Sequence, residues 1–250
     1  MKSIQDIVYN GFGQKLDLNL PDGETKAVFV YFHGGGLEAG SKKADAAYHK
    51  YLTERGIAVA DVNYRMYPEA KFPEFISDAA DAVKWVKDHL PEYGIPEKIF
   101  VGGSSAGGYL SMMLCFDEKY LSERGIAPNS LAGYVHDAGQ PTTHFNVLRE
   151  RGVDTRRVIV DEAAPLYHIG KNGNACTDML FIVSDNDMQN RYEQTMLTLS
   201  TLKHFGYPDE KIDLIVMNGK HCAYSLRVDE DGESAFGKIV YPFFEKCMGV

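Results

Sequence analysis

Ile99-Phe100-Val101-Gly102-Gly103-Ser104-Ser105-Ala106-Gly107-Gly108 runs from a short apolar strand pattern into Tyr109–Phe116, which reads as a buried helix. The stretch contains G-x-S-x-G, with Gly103, Ser105 and Gly107 in the defining places. A chain that turns sharply from strand to helix needs small residues, because neighbouring backbones close on the turn from both sides. The residue at its apex is held in a strained conformation, with its side chain standing clear of the sheet. The helix that follows points the positive end of its dipole at whatever binds above Ser105. Two readings fit this stretch alone: a nucleophilic serine, or a Gly-rich turn that cradles a phosphate.

Working outward, apolar runs of strand length alternate with helix-period segments. Ala27–Phe32, Ile57–Val62, Lys98–Val101, Leu131–Val135, Met179–Val183 and Ile212–Met217 are short and rich in Val, Ile and Phe, as strands buried on both faces must be. Between them, Phe75–Leu90 sets Ile76, Ala79, Ala80, Val83, Val86 and Leu90 on one face, and Tyr192–Phe205 does the same with Met196, Leu199 and Leu202. Ser234–Cys247 closes the chain as a last helix. The alternation predicts an α/β fold with a mostly parallel, doubly wound sheet and right-handed crossovers. Ile4–Tyr9 and Leu16–Leu20, joined by Asn10-Gly11-Phe12-Gly13, predict an antiparallel hairpin at the sheet edge. Residues 139–177 break the rhythm, with loop-like composition and the arginines Arg149, Arg151, Arg156 and Arg157. They are too many for a simple connector and read as a lid-like insertion over the carboxyl edge of the sheet, within a single domain spanning residues 1–250.

A second motif decides between the two readings of Ser105. His33-Gly34-Gly35-Gly36 follows the strand Ala27–Phe32. Acyl transfer places negative charge on an oxygen that needs preorganised N–H donors, and a glycine run presents them without side chains in the way. Gly35, Gly36 and Ala106, the residue after the nucleophile, are the natural oxyanion-hole donors. His33, placed before the glycines, shapes the loop.

Composition narrows the rest. With 250 residues the chain can bury a substantial core, and its formal charge of −9 excludes the basic footprint that nucleic-acid binding requires. No apolar stretch reaches membrane-spanning length, and Met1–Asp6 lacks a signal-peptide core, so a cytoplasmic enzyme is expected. Cys115, Cys176, Cys222 and Cys247 have neither metal-ligand nor C-x-x-C spacing and read as reduced thiols. His136-Asp137 with His144 is too sparse for a metal site but could line a pocket, since it follows a strand whose end faces the site. Neither cofactor nor metal is called for.

The ordered set of motifs resembles the α/β-hydrolase carboxylesterases related to hormone-sensitive lipase and to the small acetyl and feruloyl esterases. The resemblance runs through His33–Gly36, Asn63-Tyr64-Arg65, Pro68-Glu69-Ala70, Phe72-Pro73, Asp78, Trp85 and the Gly-Gly-Ser-Ser-Ala-Gly-Gly run. It departs at Leu37, where many relatives carry an aromatic, and in residues 139–177. It implies an α/β-hydrolase fold, a buried Arg65–Asp78 ion pair, and an acid on the loop just past Met179–Val183, which favours Asp187 over Asp185. Asp185 would then bond the loop backbone. In the chain order serine, acid, histidine, the base follows the last strand, at His221. His136, His144 and His168 precede the acid, whereas His49, His89 and His204 sit on helix-like segments. The expected function is a serine carboxylesterase with Ser105, His221 and Asp187 in catalysis, acting on short-acyl esters, acetylated carbohydrates among them. A shallow acyl site and an open, polar alcohol site are expected with it. An arylformamidase or small peptidase would use the same groups. A non-catalytic binding protein on this fold would need a broken triad, and every part is present. The expected partner is a small-molecule ester, with no nucleic acid and no membrane; the oligomeric state is left open.

Overall fold

The computed structural model describes residues 1–43 and 47–249. In chain order its elements are β1 (Lys2–Val8), β2 (Lys15–Leu20), β3 (Ala27–Phe32), α1 (Tyr48–Thr53), β4 (Ile57–Val62), α2 (Glu74–His89), β5 (Ile99–Ser104), α3 (Ala106–Phe116), α4 (Lys119–Ser122), β6 (Gly133–Asp137), α5 (Phe145–Glu150), α6 (Pro165–His168), β7 (Met179–Asn186), α7 (Arg191–His204), β8 (Ile212–Lys220) and α8 (Ala235–Met248). The strands form one eight-stranded sheet in the order β1-β2-β4-β3-β5-β6-β7-β8. β2 runs antiparallel to β1 and β4, and every pairing from β4 to β8 is parallel. This is the α/β-hydrolase arrangement.

The central strands are apolar throughout because each feeds two cores. Val28, Val30 and Phe32 of β3 point into one core, where Ile76, Ala79 and Val83 of α2 and the apolar side chains of α3 cover the sheet. Ala27, Phe29 and Tyr31 point into the other, closed by Tyr48 and Leu52 of α1 and by Phe236, Val240 and Phe244 of α8. An alternating strand could not serve both faces. The edges differ from the sequence reading. β8 is exposed along one side, with Leu214 and Val216 partly in solvent, so it is not a strand buried on both faces. Only β1 of the hairpin is an edge strand, since β2 is paired on both sides. Four strands also run two to three residues past their expected ends, β5 to Ser104, β6 to Asp137, β7 to Asn186 and β8 to Lys220. Their last residues are polar or glycine but still belong to the ladder.

Those extensions matter because they deliver Ser105, Asp137, Asp187 and His221 to one edge of the sheet. Residues 139–177 lie beside that edge and contain α5 and α6. Gly139–Leu148 are buried apart from a half-exposed Phe145, and Asn146 Nδ2 donates to the Gly36 carbonyl at 3.0 Å. Three of the four arginines of this segment are held in ion pairs. Arg149 bonds Glu38, Arg151 bonds Asp161 at 2.7 Å and Arg156 bonds Asp154 at 2.7 Å. Among the described residues, no helix is long and apolar enough to cross a membrane.

Candidate active site

Ser105 sits between β5 and α3 with φ 57° and ψ −112°, a conformation L side chains rarely adopt. It is held there by the end of β6, whose Asp137 carbonyl accepts from the Ser105 N–H at 2.8 Å. Crowding on the helix side explains the glycine two residues on. A Cβ added to Gly107 would lie 1.9 Å from the Phe32 carbonyl oxygen, so β3 and α3 could not approach as they do.

His221 follows β8 directly. Its Nε2 lies 2.8 Å from Ser105 Oγ and its Nδ1 lies 2.5 Å from Asp187 Oδ1. With the proton on Nδ1 donated to Asp187, Nε2 is left as the acceptor for the serine hydroxyl. The Asp187 side chain is shielded from solvent and also accepts from the N–H groups of Met188 at 2.7 Å and Ser184 at 3.1 Å. Burial alone would raise its pKa. The bond and charge of His221, with the two N–H groups, outweigh that and hold it below the ordinary carboxylate value. Asp185 does not reach His221. It accepts from Gly219 N–H and Asn218 Nδ2, each at 2.9 Å, and so ties the end of β7 to that of β8.

The His33–Gly36 loop packs straight onto this group: a Cβ on Gly34 would stand 3.3 Å from Ser105 Cβ. Gly35 and Gly36 have φ of 116° and 65°, which turns the backbone over the serine at no steric cost to glycine. The His33 ring stacks on Tyr64 at 4.5 Å, and Tyr64 Oη donates to the His33 carbonyl at 2.8 Å. Burial depresses the His33 pKa, so the ring is a neutral prop under the loop. One residue further along, Arg65 grips Asp78 in a two-pronged pair, Nε to Oδ2 at 2.8 Å and Nη2 to Oδ1 at 2.9 Å, with Asp78 fully buried. Ala106 opens α3, where N–H groups lack intrahelical acceptors. Ser105, His221 and Gly34–Gly36 open onto a cavity of about 570 Å³ whose lining is mainly apolar, with Phe145, Met188 and Leu226 on it.

The BD-FAE family model matches residues 16–147, more than half of the chain. The chain belongs to the BD-FAE family. Curated relatives include a protein named "Probable isoprenylcysteine alpha-carbonyl methylesterase" from Arabidopsis thaliana, 33% identical over 126 residues, which are 48% of this chain and 30% of that one. Another is named "Probable carboxylic ester hydrolase" from Mycobacterium tuberculosis, 35% identical over 116 residues, 43% of this chain and 27% of that one. The matched region thus spans less than a third of either relative. Among solved structures, a truncated carbohydrate esterase from gut microbiota superposes with a TM-score of 0.78 at 20% identity, covering 100% of this chain and 97% of that one. At that identity the likeness establishes the shared fold.

Two readings of this BD-FAE chain need correction. His136 and His144 do not line the cavity. His136 is buried against Ser111 Oγ at 2.9 Å, with burial depressing its pKa to about 3, and His144 caps α5 by accepting from Asn146 N–H at 3.2 Å. Among the described residues, no cluster of three or more His, Cys, Asp or Glu side chains is placed to hold a metal. Nor is the open part of the cavity polar, given Met188 and Leu226. The sequence reading takes Asp137 only as a pocket-lining neighbour of His136, whereas it is a buried carboxylate beneath the site. Asp137 accepts from Ser104 Oγ and from Tyr224 Oη, and Arg191 at the start of α7 donates to the Ala138 carbonyl beside it. The available signal was the position of Asp137 at the end of an apolar strand on the site edge. Cys222 Sγ is 3.8 Å from His221 Nε2, and burial raises its pKa well above the ordinary thiol value, so it stays a protonated thiol.

Proposed function

We propose that this protein hydrolyses carboxylic esters with Ser105 as nucleophile, His221 as general base and acid, and Asp187 as the group that orients His221. The observation that carries this reading is the double engagement of His221, with Ser105 Oγ on Nε2 and Asp187 on Nδ1. Ser105 Oγ attacks the acyl carbon while Nε2 takes its proton, and the imidazolium so formed faces an ionised Asp187. The N–H groups of Gly35, Gly36 and Ala106 receive the oxyanion; removing one such donor typically costs about a hundred- to a thousandfold in turnover. His221 returns the proton to the leaving alcohol. It then activates water against the acyl-enzyme, and the second collapse frees the acid and restores Ser105.

Short-acyl esters, acetylated carbohydrates among them, are the proposed substrates, in keeping with ester-hydrolase names among the relatives and a carbohydrate esterase among the structural neighbours. Residues 139–177 act as a fixed cover, because their first half is buried and the exposed Val158, Val160 and Tyr167 are scattered among paired charges rather than forming a long apolar face to dock on a lipid surface. The test is p-nitrophenyl acetate hydrolysis with fluorophosphonate labelling. Wild type should turn over and be labelled at Ser105, and Ser105→Ala should lose both. Folded wild type that resists the probe would overturn the assignment.

A further inference from the structure

Asp137 is fully buried, yet the mechanism above gives its carboxylate no task. Everything around it donates inward. Tyr224 Oη donates to Oδ1, Ser104 Oγ donates to Oδ2, and Tyr31 Oη donates to Ser104 Oγ at 2.9 Å. The Asp137 backbone carbonyl meanwhile holds the Ser105 N–H at 2.8 Å. The network therefore suits a carboxylate, which only accepts; a protonated carboxyl would bring a hydrogen into a ring of groups already donating.

The geometry of Tyr224 gives this network its direction. His221 stands on the turn after β8, and within residues 221–226 only Tyr224 is buried; Ala223 and Leu226 are exposed. The turn's own bonds are local, Ala223 N–H to Lys220 and Ser225 N–H to Cys222, each at 3.0 Å. The turn is tied to the body of the sheet by the Tyr224 hydroxyl on Asp137, alongside His221 itself and the Cys222 thiol, which meets the Ser105 backbone. One residue thus touches both halves of the site, the serine through its main chain and the histidine turn through its side chain.

We propose that Asp137 is a positioning residue that clamps the His221 turn to the nucleophile turn through Tyr224 and Ser104, keeping Nε2 on Ser105 Oγ. The proposal rests on the reading of Ser105 and His221 as nucleophile and base. Asp137 is itself titratable, so its own charge state matters to the clamp. His221, Asp187, Cys222, Tyr31 and Tyr224 are the titratable groups that bear on it, and burial leaves it raised to about 6, ionised at neutral pH.

The test uses full-length Tyr224→Phe and Asp137→Asn, with kcat and KM on p-nitrophenyl acetate, fluorophosphonate labelling rate, and hydrogen exchange over residues 221–226. Losing a hydrogen bond to a charged group should slow kcat and labelling about ten- to a hundredfold in Tyr224→Phe, with KM within about twofold. Exchange should accelerate in residues 221–226 and stay unchanged in β3 and β5. The double variant should be no worse than Asp137→Asn alone, since both break one contact. Unchanged exchange in the turn overturns the clamp. Faster exchange with unchanged turnover per folded molecule overturns its role in positioning. Wild type that is never labelled removes the Ser105 reading and this proposal with it, whereas a labelled wild type with an unaffected Tyr224→Phe removes the clamp alone.

Discussion

Asp187→Asn keeps the shape of the side chain and takes away its charge. In the wild type the carboxylate lies 2.5 Å from His221 Nδ1 and out of solvent. When His221 accepts the serine proton, a positive ring faces that carboxylate at a charge separation of about 4 Å, which at an effective dielectric of about 20 is worth roughly 4 kcal/mol. Forfeiting it slows the step by about three powers of ten, since each 1.36 kcal/mol is about tenfold. Asparagine also lets the imidazole take the other tautomer, with its hydrogen on Nε2, where it cannot accept from Ser105; the total approaches about ten-thousandfold. Asp185→Asn is the matched control. Asp185 bonds Gly219 N–H and Asn218 Nδ2, and its loss should cost about 1 kcal/mol of stability and leave kcat within about threefold. Steady-state kcat on p-nitrophenyl acetate, with chemical denaturation of both variants, decides the matter. A loss under tenfold in Asp187→Asn, or a larger loss in Asp185→Asn, would refute the reasoning and move the acid two residues back.

Three further outcomes are expected. Gly107→Ala, whose Cβ would fall 1.9 Å from the Phe32 carbonyl, should destabilise the fold by about 3 kcal/mol or more, or give insoluble protein, and a variant with wild-type melting temperature would mean β3 and α3 are not in contact there. Burial raises the Asp137 pKa from 3.8 to about 6, so its contribution to stability is complete below pH 3.8 and is lost as pH rises through 6. Asp137→Asn removes that charge, so its stability relative to wild type should rise by as much as about 3 kcal/mol from pH 4 to pH 8, on top of the fixed cost of its amide hydrogens among donors, read by urea unfolding; parallel pH profiles would contradict the burial argument. In a p-nitrophenyl ester series kcat/KM should peak between acetyl and butyryl, because the cavity opens to solvent at the exposed Met188 and Leu226, longer chains stay in water there, and each unburied methylene forgoes about 0.8 kcal/mol. A steady climb with chain length would mean that residues 139–177 cover a deep apolar tunnel.

The parts of the fold legible in the sequence are those where one physical demand restricts residue type. β3 and β4 must be apolar on both faces, and their expected limits match the observed ones. β5 to β8 were read short because strand pairing continues through Gly103, Ser104, Asp137 and Asn186, whose composition resembles loop. α1 is legible only as a helix-like segment around His49, since six residues, Tyr48–Thr53, carry too little periodicity to set its bounds. β8 looked buried because its apolar residues are the same type as those of β7; only the strand order shows that it has a neighbour on one side.

The site divides along the same line. A serine on a sharp turn demands flanking glycines, so Gly103, Ser105 and Gly107 announce themselves locally. Asp187 and Asp185 differ by two places on a strand end, and only the register of β7 against β8 sends Asp185 to Gly219 and Asp187 to His221. Asp137 and Tyr224 are 87 residues apart and carry no motif; the pairing of β5 with β6 and the turn after β8 bring them together. A single sequence displays the residues that touch the substrate because their chemistry is restricted. The residues that hold those in place can be any well-packed pair able to share a proton, and their identity emerges only with the packing.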